Sequence, residues 1–250
     1  MSTPTPRSGA RGGPAGPAEA AAGRIYSGQV PSERVLARRG RLLAAGLELF
    51  GTRGFAHVKI KELCQHAGVS ERYFYESFRS REELLTVLYA QLTGQLMVNF
   101  LAVMRVPGKA PRDAIHAGIT AVASFMLNDP RHAQIILVEI VGVTAELEAM
   151  RHASLRAFAA ESMVQLLRLG GIDPEQAQAQ QGMDAGPGPL ARSMEFARLT
   201  AVSSVGAINN MLLDALLGGT TANTGPIIEV ALELMCNAAN GIRALANPAM

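Results

Sequence analysis

Side chains that can hydrogen-bond to a polyanion are concentrated between Lys59 and Arg81. Arg72 can form two hydrogen bonds with O6 and N7 of a guanine, and Tyr73 can pack on a thymine methyl group or donate to a phosphate. Lys59 and Arg81 carry donors for a phosphate backbone, and such contacts position a protein without reading base sequence. A helix that opens at Ser70 would add free backbone N–H groups. The segment therefore predicts contact with duplex DNA, and the alternative is an ordinary solvated helix face.

Two short helices joined by a turn would hold these side chains in place. Gly68 suits a turn that requires a positive φ, and Ser70 is a good N-cap. Val69 and Phe74 have the spacing of a hydrophobic staple. The apolar residues fall on one face of each helix: Ile60, Leu63 and Ala67 in the first, Phe74 and Phe78 in the second. Such faces can pack together only if the helices cross steeply, as in a helix-turn-helix. The outward face of the second helix then consists of Arg72, Tyr73 and Glu76, with Tyr75 at its flank.

Three linked segments carry a known pattern: LLAAGLELFGTRGF (42–55), IKELCQHAGVSERYFYESF (60–78) and SREELL (80–85). Over about Leu36 to Leu88 the chain resembles the N-terminal domain of TetR-family transcriptional regulators, in residue type and in spacing. The resemblance implies that Tyr75 contacts phosphate. It also implies a homodimer on a palindromic operator, a small apolar or amphipathic effector, and repression rather than activation. The family often has threonines where this chain has Val58 and Lys59, so a lysine charge stands here in place of a hydroxyl.

Composition and charge narrow the classes of protein. The 250 residues are 48% hydrophobic, with a net charge of +2. Residues 32–89 carry ten Lys/Arg against seven Asp/Glu (net +3), whereas residues 90–250 carry ten against thirteen (net −3). A basic N-terminal part beside an acidic remainder fits a polyanionic partner. Cys64 and Cys236 are too few for a thiolate zinc site or a disulfide scaffold. No run is apolar enough to predict a membrane helix, so we expect a cytoplasmic protein.

Hydrophobic periodicity predicts an all-α fold in three parts. Residues 1–31 are rich in Pro, Gly and Ala and predict a disordered basic tail. Residues 32–92 would form the helix-turn-helix DNA-binding domain, with its motif at about 59–78. Residues 93–250 would form a helical effector-binding and dimerisation domain. The alternative for the tail is a basic arm that helps to hold DNA, with contributions from Arg24, Arg34, Arg38 and Arg39.

The helix boundaries follow from caps and breakers. Ser80 and Glu83 have the spacing of a capping box, which opens a long connector helix that reaches about Met104. A helix that carries Ile115 and Met126 follows. Residues 171–189 predict a polar loop, with at most a helical turn after Pro174. The other predicted helices cover about 32–51, 131–141, 145–169, 190–217 and 226–246.

The last two helices carry apolar seams with alternating steps of three and four residues, as in coiled coils. One interpretation is an intramolecular core. The other, favoured by the resemblance, is a four-helix dimer interface formed by Met194, Ala197, Ala201, Ser204, Ile208, Met211, Ile228, Leu232, Met235, Ala239 and Ile242.

Residues 93–250 carry no phosphate loop, nucleophile motif, zinc motif or paired carboxylates. We therefore expect no catalytic residue, no cofactor and no metal. Glu139, a lone carboxylate in the run IILVEIVGV, would suit a cationic or hydroxylated apolar effector. The alternatives are an apolar-ligand carrier or interaction module with a vestigial DNA-binding domain, and a helical enzyme. The candidate residues for an effector pocket are His116, Phe125, Glu139, His152, Phe158 and Met163.

Overall fold

A computed structural model describes residues 31–183, 188–219 and 223–246, and within these ranges every regular element is helical. The predicted all-α fold is confirmed. The predicted tail lies outside the described residues except for Pro31, which opens the first helix. A 3-10 turn spans Phe55–His57, and a π-helical segment spans Gln134–Glu139. The α-helices are α1 (Pro31–Arg53), α2 (Ile60–Ala67), α3 (Glu71–Ser77), α4 (Arg81–Met104), α5 (Pro111–Leu127), α6 (Pro130–Ala133), α7 (Ala145–Leu169), α8 (Pro174–Met183), α9 (Pro189–Leu217) and α10 (Gly225–Ala246).

The first three helices pack around a small aromatic core. Phe50 of α1 and Phe74 of α3 are fully buried, and Phe78 follows directly after α3. The Phe50 ring meets the Phe55 ring edge to face, with centroids 5.2 Å apart. Leu84, in the first turn of α4, joins the same core. The N-terminal helices are therefore fixed to the start of α4 by apolar packing.

The long helix α4 links this core to the rest of the chain. Its N-cap is Ser80, whose hydroxyl accepts the backbone N–H of Glu83 at 3.2 Å. The Glu83 carboxylate accepts the N–H of Arg79 rather than that of Ser80, so only half of the predicted capping box forms. Toward its end, α4 packs on α5 and α7 and buries Phe100 and Met104.

Two stretches differ from the sequence-based prediction. The expected loop at 171–189 contains the ten-residue helix α8, whose first N–H groups are accepted by the Asp173 carboxylate and whose Ala177 is buried against the core. The expected single helix at 131–141 is instead the short α6 followed by the π-helical segment. A wider π turn is not visible in the spacing of apolar residues, because it inserts one residue without changing residue type.

The helices α4 and α9 are long and apolar enough to cross a membrane by length and composition alone. The core helix of a soluble protein passes the same test. α4 packs against α1, α5 and α7, and α9 packs against α7 and α10. Their apolar character is therefore explained in part by packing within the chain.

Candidate nucleic-acid interface and effector cavity

The turn between α2 and α3 forms as the sequence predicts. Gly68 ends α2 with φ +61° and ψ 42°, a left-handed conformation that favours glycine. The N–H of Val69 then donates to the Cys64 carbonyl at 3.0 Å. Ser70 occupies the N-cap position of α3, but its hydroxyl makes no capping hydrogen bond. Ser70 is therefore the N-cap residue, as predicted, and its exposed hydroxyl is available to a ligand.

The outward face of α3 is open to solvent. The Arg72 side chain is 86% exposed and forms one ion pair, Nε to Glu76 Oε1 at 3.3 Å, one helical turn away. An exposed pair of this kind is worth under about 1 kcal/mol, so it yields readily to a base or a phosphate. Tyr75 is also exposed. Both residues lie where the helix-turn-helix interpretation placed them.

Tyr73 is held by a residue of α1. The guanidinium carbon of Arg38 lies 4.2 Å from the centre of the Tyr73 ring, a cation–π contact. Arg34, Arg38 and Arg41 line one groove together with Ser70 and Tyr73. Helix α1 therefore adds three cationic side chains beside α3. Arg34 and Arg38, predicted to help hold DNA, lie on α1 as the predicted helix from about residue 32 implies.

Two other predicted donors are used within the fold. Arg81 donates from Nη1 to the carbonyls of Phe55 (3.1 Å) and Val58, and its guanidinium stacks on the Phe55 ring. Arg39 donates to the Ser77 carbonyl at 2.6 Å and stacks on Phe78. Both arginines connect consecutive parts of the domain, so Nη1 of each is occupied within the fold. The role of Arg81 as a phosphate donor stays a prediction.

Lys59 occupies the N-cap position of α2, and its side chain is exposed. Its backbone N–H donates to Glu62 Oε2 at 2.8 Å, and Arg53 binds the other oxygen of Glu62 at 2.7 Å. These hydrogen bonds, the backbone one first, lower the pKa of Glu62. The carboxylate is therefore occupied from both sides, and the Lys59 ammonium is left for an outside partner.

A cavity of 70 Å³ lies among α4, α5, α7, α9, α10 and the π-helical segment. Its wall is largely apolar, and its hydrogen-bonding side chains come from Tyr89, Thr93, Ser154, Ser162 and Asn209. Tyr89 is only 2% exposed, and this burial raises the pKa of its phenol. The Thr93 hydroxyl donates to the Tyr89 carbonyl at 2.8 Å.

Among the six residues predicted for an effector pocket, the structure places Phe158 in the cavity wall, with its ring 5.1 Å from that of Phe100. His116 and His152 are exposed on their helices. Phe125 stacks on His132, with ring centroids 4.5 Å apart. Met163 is half-buried, away from the cavity wall. Helices α5 and α7 each bury one face. Residues on their other faces, such as His116 and His152, carry suitable side chains but point away from the cavity.

Glu139 lies at the junction with the N-terminal helices rather than in the cavity. Its Oε2 accepts the backbone N–H of Phe55 at 2.6 Å, and its Oε1 accepts Gln134 Nε2 at 2.6 Å. Gly54 has φ +85° and lies beside this carboxylate: a Cβ added at Gly54 would be 3.4 Å from Glu139 Oε1. The predicted role in binding a cationic effector therefore loses its basis, because backbone and amide N–H groups already occupy the carboxylate.

Arg131 forms a second link at the same junction. Its Nη1 donates to Glu48 of α1 at 2.5 Å, and its Nε and Nη2 donate to Asp129 at 2.8 and 2.6 Å. Gly51 of α1 lies against the Arg131 backbone so closely that an added Cβ would be 3.0 Å from Cα and 2.5 Å from Cβ. The end of α1 and the start of α6 are therefore in direct contact.

The predicted dimer seam of α9 and α10 mostly faces the chain's own core. Eight of its residues are buried there: Met194, Ala197, Ala201, Ile228, Leu232, Met235, Ala239 and Ile242. Ser204, Ile208 and Met211 are partly exposed. The opposite face carries large exposed apolar side chains: Phe196, Leu199, Val202, Val230 and Leu234. Both faces are apolar, so spacing alone could not tell which one points inward.

The geometry has counterparts among known proteins. The family described as "Bacterial regulatory proteins, tetR family" matches residues 42–88. A TetR-like transcriptional regulator from Rhodococcus sp. RHA1 has a similar structure, with a TM-score of 0.56 at 19% identity over 81% of this chain and 93% of that one. The fatty acid degradation regulator FadR from Bacillus halodurans gives 0.60 at 13% over 82% and 96%.

The TetR family transcriptional regulator PfmR from Thermus thermophilus gives a TM-score of 0.54 at 19% identity over 81% of this chain and 95% of that one. At sequence identities of 13–19%, the likeness to these structures shows that the fold is shared. The family match covers the helix-turn-helix itself, which the structure presents with an exposed second helix. Residues 42–88 therefore match the DNA-binding segment of the tetR family of bacterial regulatory proteins, and the chain shares its fold with TetR-like transcriptional regulators.

Proposed function

We propose that the chain is a ligand-responsive repressor that binds a palindromic operator as a homodimer, in the cytoplasm and without catalytic activity of its own. The observation that supports this proposal best is the position of α4. Its first turn packs in the helix-turn-helix core through Leu84, and its last turns line the cavity through Phe100 and Met104. A ligand and DNA would therefore act on opposite ends of one helix. The proposed division places DNA binding at 32–92 and effector binding and dimerisation at 93–250.

On the DNA side, we assign base reading to Arg72 because its guanidinium is exposed in the first turn of α3 and matches guanine O6 and N7. Lys59 and Tyr75 are assigned to phosphates on either side of α3. Ser70 adds a hydroxyl at the start of the helix. Tyr73, held by Arg38, would pack against the sugar–phosphate backbone or a thymine methyl group.

Two copies would meet through the exposed apolar face of α9 and α10. Phe196, Leu199 and Leu234 border one groove, together with small residues such as Ser203 and Ala207. Small residues between large ones let helices approach closely, and a second copy offers the same apolar surface. A dyad through this face would present two α3 helices to one side of the duplex. Helix-turn-helix dimers read half-sites about 34–36 Å apart or a multiple of it.

The test is selection of bound duplexes from a random DNA pool at moderate salt without added ligand. An inverted repeat, lost with the Arg72→Ala variant, is the expected result. Enrichment no better than bulk DNA would contradict the proposal and favour an apolar-ligand carrier. A ligand that lowers affinity for the selected duplex must itself bind less tightly to the DNA complex, since coupling is reciprocal. An equal ligand affinity with and without DNA would contradict the ligand response.

A further inference from the structure

We propose that the cavity binds an uncharged, largely apolar ligand that carries one hydroxyl or carbonyl oxygen. This inference rests on the proposed function, because it takes the cavity as the effector site. Among the described residues, the side chains of the cavity wall carry no formal charge at neutral pH. An ionised group placed there would lose its hydration without gaining an opposite charge. A neutral apolar body would instead displace little more than poorly bound water.

The polar groups of the wall fit a single neutral oxygen. The Tyr89 side chain of α4 is buried, and Ser154 of α7 lines the same cavity. Asn209 reaches the same space from α9 and can donate or accept. The Thr93 hydroxyl already donates to a backbone carbonyl. Four side chains, those of Tyr89, Ser154, Ser162 and Asn209, therefore remain that can exchange a hydrogen bond with a hydroxyl or carbonyl group.

Nearby charged groups are occupied by partners within the fold. Arg151 and Glu148, whose charges act on Tyr89, pair with each other at 3.5 Å. Glu139 accepts two hydrogen bonds at the junction. Neither the Arg151–Glu148 pair nor the Glu139 carboxylate is free to bind a charged ligand. The cavity therefore selects by apolar surface and by one hydrogen bond rather than by charge.

The experiment compares three probes of equal chain length, 1-octanol, octanoate and octylammonium, by isothermal titration of the full chain at pH 7.5 without DNA. We expect 1-octanol to bind roughly a hundredfold more tightly than either ion, because an unpaired charge must be desolvated. Equal or tighter binding of an ion would overturn the proposed class, and so would the absence of binding by all three. The proposed ligand class and the proposed repressor function can be contradicted separately. If 1-octanol binds but leaves the affinity for DNA unchanged, only the repressor function is contradicted.

Two variants locate the binding site. Asn209→Asp places a carboxylate in the wall and should shift the preference toward octylammonium by at least about tenfold. Gly118→Leu should abolish 1-octanol binding, because a Cβ there already meets Met104 Sδ at 2.6 Å and the Phe100 ring at 2.9 Å. If circular dichroism shows that this variant is unfolded, Val122→Phe replaces it. Unchanged binding in both Asn209→Asp and the folded cavity-filling variant would place the ligand elsewhere.

The π-helical segment Gln134–Glu139 joins the cavity to the helix-turn-helix domain, which supports a second inference. Ile136 lines the cavity. Three residues later, Glu139 holds the Phe55 backbone N–H at 2.6 Å. Just before the segment, Arg131 binds Glu48 of α1 at 2.5 Å. We infer that this segment transmits cavity occupancy to the DNA-binding helices in parallel with α4, because a shift at Ile136 must move the Glu139 carboxylate.

A double-mutant cycle tests this route without any ligand. Gly118→Leu fills the cavity, and Glu139→Ala removes the link to Phe55; affinity for the selected duplex is measured for each variant and for both together. We expect cavity filling to weaken DNA binding about tenfold in the wild-type background and at most about twofold in the Glu139→Ala background. Glu161→Ala, which breaks the surface pair with Arg105, is the control and should leave the tenfold effect intact. Additive effects, or no effect of cavity filling, would overturn the inference; Glu139→Leu, which also lacks an acceptor for the Phe55 N–H, serves if Glu139→Ala does not fold.

Discussion

Gly51→Ala should destabilise the protein although it replaces a helical glycine with alanine. In an open helix this change gains up to about 1 kcal/mol, because alanine loses less backbone entropy. At Gly51 the new methyl group would lie 2.5 Å from Arg131 Cβ and 3.0 Å from its Cα. Backbone atoms cannot move aside as a side-chain end can, and overpacking typically costs about 1–3 kcal/mol. We therefore expect a net loss of about 1–2 kcal/mol.

Gly40→Ala is the matched control, since Gly40 lies in the same helix and no described atom comes within 4 Å of an added Cβ. It should raise stability by about 0.5–1 kcal/mol. Urea denaturation of both variants, at one protein concentration because association adds to apparent stability, measures the difference. The two midpoints should move in opposite directions. If Gly51→Ala stabilises the chain as much as Gly40→Ala does, α1 and α6 are not in close contact, and the junction between the two domains is looser than described.

Further substitutions test the proposed DNA face, the proposed dimer face and the ion pair at Asp129. Arg72→Ala should weaken binding to the selected duplex by about 1–3 kcal/mol and leave binding to scrambled DNA unchanged. Lys59→Ala should weaken binding to both duplexes alike and reduce the slope of the salt dependence by about one. Equal losses on both duplexes for Arg72→Ala would remove Arg72 from base reading. Leu199→Glu should convert a dimer to a monomer in light scattering, whereas Val98→Glu, on an exposed face of α4, should not; a dimer that survives Leu199→Glu would place the interface elsewhere. Hydrogen bonds from the Arg131 guanidinium lower the pKa of Asp129, so this carboxylate stabilises the fold above about pH 4 and loses its contribution as the pH falls. Asp129→Asn should therefore be less stable than the wild type at pH 7, and this deficit should shrink as the pH falls through the lowered pKa of Asp129. A deficit that does not change with pH would contradict the pairing.

The helix-turn-helix could be predicted from the sequence because its determinants are local. Gly68 requires a left-handed turn, and apolar residues spaced for helices require one buried face each. The exposure of Arg72 and Tyr75 then follows from the burial of Phe74 and Phe78. The bounds of the long helices were predictable for the same reason, since Pro, Gly and the N-cap residues Ser80 and Thr144 mark them along the chain.

The roles of single polar residues were decided by contacts between distant parts of the chain. Arg81 and Arg39 resemble DNA-contacting arginines in sequence, yet their donors meet carbonyls of the turn before α2 and the end of α3. Glu139 lies in an apolar run and suggested a ligand site, yet it binds the N–H of Phe55, 84 residues earlier. Nothing within a few residues of these positions distinguishes a partner in the fold from a partner outside it.

The inward face of the last two helices also depended on the tertiary structure. Helical periodicity shows that α9 and α10 are apolar, but it does not orient a helix that is apolar on two sides. Packing against α5 and α7 buries Ala197, Met235 and Ile242 and leaves Leu199 and Leu234 outside. The sequence by itself therefore determined the long helices, the turn and the exposed face of α3. The fold alone decided which apolar face, which arginine and which carboxylate remain for a partner, because burial is a property of neighbours that come together only when the chain folds.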